Sequence, residues 1–215
     1  MLLHQDVYHR KLPHLQPLHG TFFVTFRLHG TLPAEIRRAL QEEFEEEKRR
    51  QELSDKAFAE SIDVISRRYF GKYDDWLDKQ KSGPTYLNRK EVAQLVADSL
   101  VFHDADRIDL IAYCIMPNHV HVVFTLIGGQ KENGKANSLS SFMQSVKSFS
   151  AKRANKALGL AGNFWEKESY DRCVRDDDEL IRIVRYTLTN PVKAGLCEQW
   201  RDWLWSYIKP EYDMF

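Results

Sequence analysis

The chain has 215 residues and a mass of 25.3 kDa, which is enough for one domain with its own hydrophobic core. Hydrophobic residues make up 43% and aromatic residues 12%, and this composition excludes a globally disordered protein. The 31 basic residues balance the 31 acidic residues, which argues against a nucleic-acid binder that works through bulk charge alone. A local basic groove is compatible with this balance.

The three cysteines include no Cys-x-x-Cys pair, which disfavours a disulfide scaffold and a zinc ribbon and suits a reducing compartment. The apolar run at residues 120–127 is too short to cross a bilayer. Residues 1–10 lack the apolar block of a signal peptide. We therefore expect a cytoplasmic protein that makes no contact with a membrane.

The pattern predicts one α+β domain with an antiparallel sheet, because two strand-like segments are separated by only three residues and must form a hairpin. In the first half of the chain we expect an extended arm at 1–20, a strand at 22–28, a charged helical insertion at 34–84 and a helix at 88–102. The hairpin strands follow at 108–115 and 119–127, and after them come a helix at 138–158 and an edge strand within 164–174. We expect the last helix to cover 176–189 and to end at Asn190 and Pro191, and the Trp-rich tail at 197–215 to dock on the core.

The second strand of the hairpin carries His119 and His121. Residues two apart in a strand share a face, so both imidazoles point the same way and form half of a divalent-metal site. The spacing alone is equally compatible with an arrangement without a metal, in which one histidine faces solvent and the other forms a hydrogen bond with a loop carbonyl. We expect both rings to be open to solvent and to face the 138–158 helix.

That helix contains no acidic residue. Its basic side chains Lys147, Lys152, Arg153 and Lys156 form a local positive strip in a chain without net charge. Gln144 and Asn155 are candidates to supply a third, oxygen ligand to the metal. The alternative interpretation is an amphipathic surface helix with a solvated basic face.

Several strings together resemble the REP-associated tyrosine transposases, a group of single-tyrosine transposases with the HUH motif (histidine, bulky hydrophobic, histidine). The strings are Met116-Pro-Asn-His-Val-His121, Phe22-Phe-Val-Thr-Phe-Arg27, Met143-Gln-Ser-Val-Lys147, Gly162-Asn-Phe-Trp165 with Tyr170-Asp171, Val174-Arg175-Asp176, and Tyr186 with Asn190-Pro-Val-Lys-Ala-Gly-Leu196. The resemblance covers roughly residues 13–196.

The resemblance implies a ferredoxin-like antiparallel sheet with the HUH motif on a central strand. It implies that His119 and His121 bind Mg²⁺ or Mn²⁺ and that a tyrosine attacks a phosphodiester of single-stranded or hairpin DNA, leaving a 5′-phosphotyrosine. Such a protein acts as a monomer or a homodimer. We expect the DNA to be bound by Arg27, Lys147, Lys152, Arg153, Lys156, Arg172 and Arg175.

One departure concerns the nucleophile. Alignment through the Met143 string places the family's tyrosine at Ser150, and the 138–158 helix has no tyrosine. Three alternatives follow: Tyr170 replaces it, Ser150 or a metal-bound water attacks, or catalysis is lost. Tyr170 is our candidate for the catalytic residue, whereas we expect Tyr113 and Tyr186 to be core residues.

The sequence therefore favours a transposase-like enzyme that cuts and rejoins DNA. A second hypothesis is an inactive relative that binds hairpin DNA. A third is a metal-dependent hydrolase unrelated to DNA, which the lack of a carboxylate near the two histidines disfavours.

Overall fold

The computed structural model describes residues 6–9, 13–16, 19–52, 58–79, 83–128 and 137–214. The chain divides into two compact units, one formed by Met1–Leu28 with Thr85–Phe215 and the other by His29–Pro84. The proposed boundaries of an arm, an insertion and a tail within a single domain stay predictions. Part of the expected 1–20 arm lies outside the described residues. In the described part of the arm, β1 (Asp6–His9) and β2 (Pro13–Gln16) pair in antiparallel orientation.

The larger unit is built around an open five-stranded antiparallel sheet. Its strands are β3 (Thr21–Arg27), β4 (Ile108–Ile115), β5 (His119–Leu126), β6 (Tyr170–Cys173) and β7 (Ser206–Ile208), in the spatial order β6-β3-β5-β4-β7. The predicted β4–β5 hairpin is confirmed, and the histidine strand β5 lies at the centre of the sheet. The predicted α+β class with an antiparallel sheet is therefore confirmed.

Helices cover the two faces of this sheet. On one face, α3 (Lys90–Val101) and α4 (Leu139–Leu158) pack on the alternate β5 residues Val120, Val122, Phe124 and Leu126 and enclose the main hydrophobic core. On the other face lies α5 (Asp177–Lys193), which reaches β3 and β5 through aromatic side chains. One face of β5 is thus covered by α3 and α4 and the other by α5, and the histidines lie on the face covered by α5.

The last helix continues further than the sequence suggests. We expected it to end at Asn190 and Pro191, but α5 runs to Lys193 with Pro191 inside. A proline this close to the end of a helix costs one backbone hydrogen bond, and both Asn190 and Pro191 are buried. As a consequence, Asn190 and Lys193 belong to α5, and helical spacing decides on which side of α5 their side chains lie.

The Trp-rich tail docks on the sheet, as predicted. Its strand β7 pairs with β4, and Trp203 Nε1 donates a hydrogen bond to the carbonyl oxygen of Ile115. Across the described ranges, none of the helices combines the length and the apolar character needed to span a membrane.

The smaller unit is an antiparallel pair of charged helices, α1 (Ala34–Glu52) and α2 (Phe58–Lys79). Phe44 packs on Tyr69 between the helices, while Glu43 pairs with Lys72 and Glu47 pairs with Arg68 at the surface. The predicted helical character of this segment is confirmed over its described residues.

Candidate metal centre and active site

The sheet register places a row of four side chains on one face. Tyr170 on β6 is opposite Thr25 on β3, Thr25 is opposite His121 on β5, and His121 is opposite Cys114 on β4. Paired residues of neighbouring strands point to the same side, so these four side chains share the face on which α5 packs. His119 lies on the same face, two positions before His121.

The two imidazoles point toward one another. Their Nε2 atoms are 3.0 Å apart, and their ring planes are inclined by 76°. The other nitrogen of each ring has an oxygen neighbour: His119 Nδ1 is 2.6 Å from Asn118 Oδ1, and His121 Nδ1 is 2.7 Å from Thr25 Oγ1. Both histidines are fully buried.

This geometry fits two neighbouring ligands of one divalent cation. Adjacent ligands of an octahedral Mg²⁺ bound at about 2.1 Å lie roughly 3 Å apart, as these two Nε2 atoms do. An oxygen that holds Nδ1 is the usual outer support of a metal-binding histidine. Burial, with the charge of Lys193 in addition, lowers the pKa of His121 to about 3. The ring is therefore neutral near pH 7, as a metal ligand must be.

The surroundings of the histidines differ from our expectation. They share one face, as predicted, but they are buried rather than open to solvent, and they face α5 rather than α4. Both proposed oxygen donors belong to α4, which packs on the opposite face. Gln144 is exposed there, and Asn155 Nδ2 donates to the carbonyl oxygen of Gly162. The structure therefore does not bring Gln144 or Asn155 together with the two histidines.

Instead, α5 brings Tyr186 to this face. Its ring centroid is 5.7 Å from that of His121 and 6.1 Å from that of Phe23. Tyr186 is half-buried and lies outside the main hydrophobic core, so the expectation that it is a core residue is wrong. Tyr113, by contrast, does belong to that core.

Two further residues share the helix face of Tyr186. Asn190 lies one turn later and is buried, and Lys193 lies two turns later and is exposed. The Lys193 Nζ atom is 5.9 Å from the centroid of the Tyr186 ring. This face of α5 therefore carries a phenol, an amide and an ammonium group, and the phenol ring contacts His121.

Tyr170 also points to the histidine face, but Phe23 is its aromatic neighbour, with ring centroids 6.3 Å apart. Phe23 in turn stacks on His121 at 5.7 Å. Tyr170 lies on β6, two strands away from β5 in the sheet, whereas the Tyr186 ring contacts His121 directly. It is half-buried on the edge strand β6.

Ser150 occupies a structural position. It is fully buried on the sheet-facing side of α4, its Oγ donates to the carbonyl oxygen of Val146 at 2.6 Å, and it accepts from Trp165 Nε1 at 2.9 Å. Because α4 packs on the face opposite the histidines, the Ser150 hydroxyl is on the wrong side of the sheet to attack a phosphate held there.

Three arginines proposed to bind DNA are paired with acidic side chains. Arg27 is buried and forms an ion pair with Glu166 at 3.3 Å. Arg172 and Arg175 both pair with the buried Glu179, which ties β6 to the first turn of α5. Burial, which alone raises the pKa of Glu179, is outweighed by hydrogen bonds from Arg175 and the charge of Arg172, so that pKa is lowered.

The basic strip of α4 lies on the layer opposite the histidines. Lys152, Arg153 and Lys156 are exposed, and Arg153 lies over the Phe149 ring. Lys147 is partly buried and donates to the carbonyl oxygens of Glu166 and Lys167. The exposed part of the strip therefore lies away from the site that the two histidines define.

Tyr186 was not among the candidate site residues predicted from the sequence, although a signal for it was present. Tyr186, Asn190 and Lys193 recur at spacings of four and three, which place polar groups on one side of an amphipathic helix. Continuing the helix through Pro191 would have brought these three residues together.

Comparisons with known proteins show what the chain is similar to. Residues 89–188 match the family model "Transposase IS200 like", a segment that includes β5, α4 and most of α5. A REP-associated tyrosine transposase of Escherichia coli K12 is 27% identical over 114 residues, and a Haemophilus influenzae protein assigned to the same group is 25% identical over 103 residues. These matches cover 53% and 46% of the chain, and only 62% and 57% of the two relatives.

A solved structure has the same fold. It is a REP-associated tyrosine transposase bound to a REP hairpin, with a TM-score of 0.54, 18% sequence identity, and coverage of 92% of this chain and 82% of that one. Together with the sequence matches, it confirms the resemblance to REP-associated tyrosine transposases.

Proposed function

We propose that this chain, a relative of the REP-associated tyrosine transposases, cleaves and rejoins single-stranded or hairpin DNA by transesterification at Tyr186. The observation that carries the proposal is the contact of Tyr186 with His121, whose Nε2 atom converges with that of His119. A phenol beside a cation site is the arrangement that tyrosine attack on a phosphodiester needs. The hairpin bound to the structural neighbour supports hairpin DNA as the substrate class.

His119 and His121 would hold Mg²⁺ or Mn²⁺, and the amide oxygen of Asn190 is our candidate for a third ligand. Asn190 is buried on the α5 face that carries Tyr186, and amide oxygens suit these hard cations. When bound, the cation would supply Lewis-acid polarisation of a phosphate oxygen. This assignment replaces the earlier candidates on α4.

Tyr186 would perform the chemistry. Its hydroxyl oxygen forms a bond to phosphorus and gives up its proton, while the bond between phosphorus and the 3′ oxygen breaks and that oxygen leaves as a protonated 3′-hydroxyl. The product is a 5′-phosphotyrosine, whose ester bond a 3′-hydroxyl can attack to rejoin the strand. One phosphodiester is exchanged for another, so no external energy source is needed.

Positive groups flank this tyrosine. Arg182 lies one turn before it and Lys193 two turns after it, and both are exposed. We propose that they attract the phosphates next to the scissile bond. The exposed Lys152, Arg153 and Lys156 lie on the opposite layer, where they suit the stem of a hairpin. We further propose that the protein works in the cytoplasm, where genomic DNA is accessible in a bacterial cell and where its three free cysteines stay reduced.

The proposal is tested with hairpin oligonucleotides and Mn²⁺ on a denaturing gel. We expect a covalent protein–DNA adduct that EDTA suppresses, that Tyr186→Phe abolishes, and that the matched variant Tyr170→Phe retains. An adduct that survives in Tyr186→Phe but not in Tyr170→Phe would return the role to Tyr170. Hairpin binding without an adduct in the unmodified protein would favour the inactive, DNA-binding relative.

A further inference from the structure

The exposed side of α4 combines an aromatic ring with basic side chains. Phe149 is 43% exposed, and the Cζ atom of Arg153, one turn later, lies 4.4 Å from the centroid of its ring. Lys152 and Lys156 are exposed beside this pair. The spacings of three and four residues place all four side chains along one side of the helix. We call these four residues the α4 platform.

The positive charges of the platform have no acidic partner. Within the described ranges, no carboxylate forms an ion pair with Lys152, Arg153 or Lys156, and α4 itself contains no acidic residue. Arg27 and Arg172, by contrast, each pair with a carboxylate brought close by the fold. The platform therefore keeps its positive potential for an anionic ligand, and a polyanion is attracted by several such cations at once.

Two ordinary roles account for only part of this surface. A cation in the last turn of a helix stabilises the partial negative charge of the C-terminus, and this explains Lys156. A single exposed apolar side chain is common and by itself indicates nothing. Phe102 is such a residue, 79% exposed where α3 ends, with the buried His103 as its aromatic neighbour. Phe149 differs, because a guanidinium lies over its ring among cations that no carboxylate neutralises.

The ligand chemistry that fits this combination is a nucleobase between phosphates. Every nucleobase has a π face that can stack on an aromatic ring or on a guanidinium, while the phosphates beside it attract lysines. An unpaired base can offer its face in this way, whereas a base inside a duplex is already stacked on both sides. A hairpin carries both features, because its stem supplies phosphates and its loop or flanks supply unpaired bases.

We propose that the α4 platform binds an unpaired base beside the stem of a DNA hairpin, with the base stacked on Phe149 and Arg153 and the adjoining phosphates held by Lys152 and Lys156. The inference rests on the proposed function in taking DNA as the ligand. It adds a second DNA contact on the layer opposite the histidines. Recognition of the unpaired base and cleavage at Tyr186 would thus use different faces of the protein.

The first test measures equilibrium binding by fluorescence anisotropy in EDTA, so that binding is separated from cleavage. Two probes share one stem sequence: a hairpin with a loop of unpaired thymidines, and a blunt-ended duplex. Phe149→Leu should lower the ratio of hairpin affinity to duplex affinity by about tenfold, because it removes the stacking face, and Phe149→Tyr should restore the ratio. Phe102→Leu is the matched control and should leave the ratio unchanged. An unchanged ratio in Phe149→Leu would overturn the proposal.

The basic residues are tested with the same two probes. Arg153→Lys keeps the positive charge and removes the planar group, so the ratio of the two affinities should fall as it does in Phe149→Leu. Lys152→Ala should instead weaken both probes alike and reduce the slope of log affinity against log salt concentration by about 1. An unchanged ratio in Arg153→Lys, or an unchanged salt slope in Lys152→Ala, would refute the role assigned to that residue.

The second test locates the unpaired base directly. A hairpin with 5-iodouracil in its loop is bound in EDTA and irradiated, since this base cross-links to aromatic side chains that it contacts, and the tryptic peptides are analysed by mass spectrometry. We expect the cross-link in peptide 148–152, which contains Phe149. Cross-links in other peptides only would overturn the proposal. If this cross-link forms but Mn²⁺ gives no covalent adduct at a tyrosine, the proposed function fails and the present inference stands. If adducts form and Phe149→Leu leaves the affinity ratio unchanged, the present inference fails and the proposed function stands.

Discussion

Tyr186 on α5 packs edge-on against His121 on β5, with ring centroids 5.7 Å apart and planes inclined by 68°. The contact joins a helix and a strand that are far apart in sequence, so it is a product of the fold rather than of a local motif. It places a phenol hydroxyl and the imidazole pair close together within one chain. A site assembled in this way does not need a second copy of the chain to supply its tyrosine.

We therefore predict cleavage within a single subunit. A mixture of Tyr186→Phe protein and His119→Ala/His121→Ala protein should form no covalent adduct, because each copy lacks one half of its own site. The matched control is the same mixture with unmodified protein added. Recovery of the adduct on mixing the two variants would show that the tyrosine acts on a partner's site.

The histidine pair should be required for binding Mn²⁺ and should also contribute to stability. His119→Ala/His121→Ala should eliminate the high-affinity Mn²⁺ site. Because both rings are buried and hydrogen-bonded, the double change should also lower the free energy of unfolding by about 2 kcal/mol or more. Titration followed by electron paramagnetic resonance and urea unfolding would measure the two effects. Unchanged stability would mean that the rings are exposed in solution.

Ser150 should matter for stability and not for chemistry. Ser150→Ala removes the acceptor of the Trp165 indole N–H, a buried hydrogen bond whose loss costs about 1–2 kcal/mol. The variant should unfold at lower urea concentration and yet form the same amount of covalent adduct as the unmodified protein at a temperature where both are folded. Loss of the adduct in stably folded Ser150→Ala would reinstate this hydroxyl as a candidate nucleophile.

Glu179 should make stability depend on pH in the acid range. Its pKa is lowered in the folded state, so the stability that it contributes is present above its ordinary pKa of 4.5 and is lost as the pH falls below that value. Glu179→Gln should be less stable at pH 7 by about 2–4 kcal/mol, since it removes the buried partner of Arg172. The difference between the two proteins should shrink as the pH falls below 4.5. Urea unfolding at each pH measures it, and a constant difference would contradict the assignment.

The strands and the shared face of the histidines could be predicted from the sequence, because alternation has a period of two and the β4–β5 connection is too short for anything but a hairpin. Which helix covers which face could not. The strand pattern of β5 is apolar on one side and mixed on the other, and both α4 and α5 are amphipathic, so either could have packed on the histidines. The wrong choice led to Gln144 and Asn155 as ligand candidates.

The charged residues show a second limit of sequence reasoning. Arg27 and Arg172 were expected to contact DNA, but each has a carboxylate partner brought close by the fold, Glu166 and Glu179 respectively. Such pairings depend on register and helix docking rather than on composition. The exposed strip of α4, by contrast, follows from helical periodicity alone and is found where the sequence placed it.

The most direct test of the account is to identify the residue that carries the DNA. Covalent adducts formed with a hairpin oligonucleotide and Mn²⁺ would be digested with a protease and a nuclease, and the modified peptide would be sequenced by mass spectrometry. We predict a single nucleotide-bearing residue, Tyr186. Modification of Tyr170 or of any other residue, with Tyr186 unmodified, would contradict the central claim.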